Sequence, residues 1–83
     1  MACPVRSYIT SRGIAVAPAQ LDLLLLPAFN TAWGIVERAL EVHHDPEVIR
    51  GRVVEEVVDL ALTQGMTHPD KVAVAAVHRV LPL

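Results

Sequence analysis

Residues 46–64 place the tightest constraint on how this 83-residue chain can fold. Asp45 offers a side-chain acceptor suited to an N-cap, Pro46 fits the first helical position, and Glu47 favours the positive end of the helix dipole. Gly65 then supplies a left-handed stop after Gln64. Between these marks Arg52, Glu55, Glu56, Asp59 and Thr63 share a narrow polar strip. Ile49, Val53, Val54, Val57, Val58, Leu60, Ala61 and Leu62 spread over most of the remaining circumference. A helix with so little face left for water must be enclosed by neighbours. A chain of this length has few to offer, since it buries only about 60–65% of its unfolded surface.

The first neighbour is the segment from residue 18 to 43. Leu21, Leu24, Leu25, Ala28, Phe29, Ala32, Trp33, Ile35, Val36, Ala39, Leu40 and Val42 fall on one half of a helical wheel. Asn30, Thr31, Glu37, Arg38 and Glu41 fall on the other, which is the period of an amphipathic helix. Pro27 removes a hydrogen bond to the Leu23 carbonyl and crowds that turn. The apolar stripe keeps its phase across the proline, so the pattern predicts one kinked helix rather than two. Pro18 suits its first turn, and His43 and His44 would sit near its negative pole.

The second neighbour runs over about 68–81. Thr67-His68-Pro69-Asp70 repeats the cap, proline and acid order, and Pro82 follows its end. Val72, Ala73, Val74, Ala76, Val77, Val80 and Leu81 form its apolar side, opposite Lys71, His78 and Arg79. Residues 1–17 are read as an irregular arm. Val5, Ser7 and Ile9 alternate like a strand, while a short helix from Pro4 to Arg12 stopped by Gly13 is nearly as good a fit. The expected fold is all-α: a three-helix orthogonal or antiparallel bundle over 18–83, with a kinked first helix and the arm, completed by oligomerisation.

Hydrophobic residues make up 53% of the chain and charged ones 19%, which excludes a disordered polymer. Cys3 is the only cysteine, so no intrachain disulfide framework exists. The net charge of -2 gives no overall field toward nucleic acid or anionic lipid. Its distribution is uneven. Residues 1–21 hold Arg6 and Arg12 and no acid, whereas residues 22–83 hold five bases and nine acids, so the arm would lie across an acidic helical body, its own or a neighbour's. The arginines followed by Leu23–Leu26 imitate a signal sequence, but Asp22, Pro27 and Asn30 interrupt the run. The charge-free stretch Leu23–Val36 falls short of the roughly 20 residues of a bilayer span. A cytoplasmic protein with no membrane partner is expected.

Neither cofactor nor metal is expected. His43 and His44 diverge by about 100° on a helix, and the Glu37, Glu41 and His44 spacing gives half a site that His68 or another subunit would have to complete. Cys3, Ser7, Ser11, Thr63 and Thr67 lie in no nucleophile motif, and the four glycines are too dispersed for a phosphate loop, so no enzyme is expected. Residues 53–80 have the outline of a helix-turn-helix, with Ala61 and Gly65 at a familiar interval. A DNA-binding regulator is therefore the alternative, although the second helix of that unit would offer His68, Asp70, Lys71, Ala75, His78 and Arg79, with Asp70 facing phosphates and few donors.

The segment from Arg52 to Val77 resembles short all-helical bacterial proteins of unassigned role, through its apolar helix, Gly65 and the Pro69-Asp70 start. That resemblance carries no functional residue. The leading expectation is a small protein-interaction module, a homo-oligomer and most simply a dimer, acting as a regulator, adaptor or subunit. The residues expected at its interface are Leu23, Leu26, Gly34, Val54, Val58 and Leu62.

Overall fold

The computed structural model describes residues 4–40 and 45–81. Four helices follow one another: α1 (Pro4–Arg12), α2 (Pro18–Ala39), α3 (Pro46–Leu62) and α4 (Pro69–Val80), with no strand among the described residues. The all-α class is as expected, but the bundle has four helices rather than three. The segment read as an irregular arm is helix α1. Its C-terminus shows why: Gly13 takes φ +65°, its N–H donates to the Thr10 carbonyl at 3.2 Å, and the Ile14 N–H donates to the Ile9 carbonyl at 3.0 Å. Those paired bonds form the Schellman stop that a glycine makes without strain. Ile9 and Ile14, the two side chains such a stop brings together, are both half-buried against the core.

Pro27 is accommodated without breaking α2. The turn Leu21–Leu25 ahead of it widens to π spacing, so that the Leu26 N–H donates to the Leu21 carbonyl five residues back. The proline ring would otherwise crowd the Leu23 carbonyl, and a widened turn is a common relief for a helix under such strain. The helix continues to Ala39, with Leu40 extended. The part of the expected helix beyond it, residues 41–43, lies outside the described residues, as do His44, Cys3 and Pro82.

Helix α3 begins as its punctuation requires. Asp45 is extended, and its Oδ1 accepts the Glu47 N–H at 3.0 Å. Replacing Asp45 by alanine should cost about 1 kcal/mol, read as a lower urea midpoint at unchanged slope, whereas Asp45→Asn should retain most of the stability. The helix closes at Leu62, two residues short of the expected end. Gly65 at φ +70° then lets the Met66 N–H return to the Leu60 carbonyl at 3.2 Å. Helix α4 starts at Pro69, with His68 at its N-cap making no side-chain capping bond.

The core joins all four helices. Val5 of α1, Leu24, Leu25, Ala28, Phe29, Ala32 and Val36 of α2, six residues of α3, and Val72, Ala73, Ala76 and Val80 of α4 are buried together. Helix α4 packs on both α2 and α3, while α1 rests on α3. The arm is thus the missing neighbour that the apolar arc of α3 demanded. A radius of gyration of 12.0 Å matches the ~12 Å of a compact chain this long.

Candidate functional site

The six residues expected at an interface separate into two groups. Val54 and Val58 are 2% and 4% exposed and Leu62 is half-buried. Val58 and Leu62 stand three and seven after Glu55, hence on its side of α3, whereas Val54 lies about 100° round the helix from it. Arg12 of α1 approaches Glu55 at 3.9 Å, so this is the flank that α1 covers. Val54 and Val58 therefore belong to the chain's own core and present no surface to a partner. The expectation placed them outside because it gave the arm no helix to bury them.

Leu23, Leu26 and Gly34 form the other group, on α2. Leu23 is 71% exposed, the most exposed large apolar side chain among the described residues. It lies in the widened turn beside Leu24 and Leu25, which are both buried. Leu26 is half-buried. Among the described residues, a Cβ at Gly34 would meet no atom within 4 Å, so none of the described helices uses the close approach that glycine permits. Asn30 and Thr31 are exposed on the same side, and the first charges are Asp22 before the face and Glu37 and Arg38 after it. The outer face of α2 is a ridge of about 21 Å, at 1.5 Å per residue, without a charge.

Other apolar side chains also stand outside the core. Ile35 is 43% exposed and Val74 54%, although both were placed on buried sides from the wheel. The buried set of α4 (Val72, Ala73, Ala76 and Val80) covers a narrower arc than its seven apolar residues suggested, and Val74 falls beyond its edge. Val48, 61% exposed, lies in the first turn of α3 and was assigned to neither face.

Several charged side chains join one helix to another. Arg6 meets Asp22 at 3.5 Å across α1 and α2. Arg12 also sits over the Tyr8 ring, 5.2 Å from its centroid. Arg79 of α4 donates to Asp59 at 2.8 Å and to Glu56 at 3.0 Å on α3, and those two hydrogen bonds raise its pKa above the ordinary arginine value. The N-terminal arginines thus do lie across acidic residues, those of their own chain.

These pairs bear on the helix-turn-helix outline. The connection between its two helices, residues 63–68, is longer than the usual three or four residues. Arg79 is turned toward α3, leaving Lys71, next to the acid Asp70, and His78 exposed. No cluster of three or more metal-binding side chains occurs among the described residues. The half-site of Glu37, Glu41 and His44 falls partly outside them. By length and composition α2 is also long and apolar enough to cross a membrane, with an 18-residue window of mean hydropathy 1.2, of which a third is buried in the bundle. No family model, curated protein or solved structure matches the chain.

Proposed function

We propose that this protein is a small interaction module that works as a homo-oligomer, most simply a dimer, and that its role is binding rather than catalysis. The observation carrying this reading is the uncharged outer face of α2, where Leu23 is 71% exposed and, farther along the helix, no described atom lies within 4 Å of a Cβ at Gly34. A leucine of that size left to water forgoes about 1.5–3 kcal/mol of burial, and apolar patches framed by polar residues mark partner surfaces. Helix α1 supplies the inner neighbour of α3, so the bundle is complete without a partner and association is its function rather than its means of folding. A regulator, an adaptor or a subunit of a larger assembly would all use such a face.

Light scattering over a dilution series tests this directly. Mass should rise above 9.0 kDa with concentration, and Leu23→Asp should abolish the rise while leaving the melting temperature of the dilute protein within a few degrees, because the side chain is solvated in the single chain. A mass of 9.0 kDa at every concentration would reject the proposal. Sequence-selective binding of duplex DNA at physiological salt, lost on Lys71→Ala, would instead favour the helix-turn-helix alternative.

A further inference from the structure

We infer that α1 is a strap that opens and recloses as one unit while α2, α3 and α4 stay folded together, and that it thereby governs exposure of the Glu55 side of α3. Among the described residues, every buried side chain except Val5 belongs to α2, α3 or α4. Those three helices also pack pairwise on one another. Undocking α1 therefore gives up one fully buried side chain, whereas undocking any other helix would empty at least four buried positions. Segments with so few buried contacts open at a fraction of the free energy that unfolds the whole domain.

The docking of α1 is narrow as well as small. Val5, Tyr8, Ile9 and Arg12 stand at i, i+3, i+4 and i+7, a single stripe of the helix. Val5 is enclosed, Tyr8 and Ile9 are half-buried, and Arg12 ends the stripe over Glu55. The flanking ion pairs, Arg6–Asp22 and Arg12–Glu55, lie between side chains at least half exposed, where water competes for each charge. A five-residue connection, 13–17, ties α1 to α2 and begins at Gly13, which turns the chain at φ +65°. Once undocked, nine residues are too few to remain helical in water. Release and unwinding are therefore one event, and the strap is either closed or open. Opening bares the flank with Val58 and Leu62, while the core among the other three helices stays closed.

Hydrogen exchange of the full chain, followed amide by amide, tests this on dilute protein and so does not depend on the association proposed above. The Gly13 and Ile14 N–H groups, bonded to the Thr10 and Ile9 carbonyls, report on α1. The Val77 N–H, within α4, reports on the three-helix body. Protection should be at least about a hundredfold lower in α1 than in α4. Val72 and Ala76 are 0% exposed on α4, which packs on α2 and α3. Val72→Ala should speed exchange at Val77 about tenfold or more, and the milder Ala76→Gly about fivefold. Both should leave the α1 rates unchanged, because the strap opens without disturbing those sites. Val5→Ala should instead speed exchange in α1 and α4 alike, since it weakens the closed chain from which both openings start.

Equal protection in α1 and α4 would mean that the strap opens only when the whole bundle unfolds, and overturns the inference. Equal acceleration of both helices by Val72→Ala and Ala76→Gly means the same. Protection that declines toward Pro4, with the Ile14 N–H held as firmly as that of Val77, would show fraying of one helix end and also overturns it.

Discussion

Leu25→Ala should remove about 2–5 kcal/mol, the usual cost of emptying a fully enclosed leucine site. Leu25 is 0% exposed and is the bulkiest fully buried side chain described. It lies in the widened turn of α2, which packs against both α3 and α4. An 83-residue domain has only about 4–12 kcal/mol of stability in total, so this one truncation consumes a large share of it. The melting temperature should fall by at least about 10 °C, and the urea slope should stay constant if unfolding remains two-state. Leu23→Ala provides the control two residues away in the same turn. Leu23 is 71% exposed, so its removal should change the stability of dilute protein by no more than about 0.5 kcal/mol. Equal losses for the two leucines would mean that the turn does not orient them as described.

The contrast between those leucines also separates what the sequence made legible from what it did not. Helices α3 and α4 could be read because their ends carry local chemistry: Asp45-Pro46-Glu47 and Pro69-Asp70 at the starts, Gly65 at the stop. Such signals act within one turn of chain and need no tertiary context. The course of α2 through Pro27 was legible from the unbroken apolar stripe, but its widened turn was not. Period counting at 100° per residue assumes the regular helix that the proline disturbs. Helix α1 was the hardest element to read. Its nine residues carry one buried anchor, Val5, among exposed Arg6, Ser7, Thr10 and Ser11, so periodicity had little to act on. The Gly13 stop was the better signal, but the same glycine serves a helix end or a strand turn until its φ is known. Misreading α1 then displaced Val54 and Val58 to an interface. On α2, Leu23 and Gly34 were visible as residues outside the stripe, while Asn30 and Thr31, read merely as the wet side, share their surface.

Val5→Asp should release α1 from the bundle. Val5 is 0% exposed and is the only buried residue of its helix, with Tyr8 and Ile9 half-buried beside it. The ion pairs Arg6–Asp22 and Arg12–Glu55, at 3.5 and 3.9 Å, join side chains at least half exposed to solvent, and such pairs hold weakly. The docking of α1 therefore depends on its apolar anchor. An aspartate there must either lose its charge or leave the core, and an unpaired buried carboxylate costs several kcal/mol. A freed nine-residue helix is too short to persist in water. Circular dichroism should then lose the signal of about that one helix, and trypsin should cut after Arg12 far faster than in the parent, because cleavage follows the population of the open form. The flank of α3 on the Glu55 side, with Val58 and Leu62, would be uncovered at the same time, giving the chain a second adhesive surface. Association of Val5→Asp should accordingly become stronger than that of the parent and should survive the addition of Leu23→Asp. If the double variant remains single at all concentrations and its Arg12 bond stays protected, the anchor is not what holds α1, and the arm must be secured by its arginines instead.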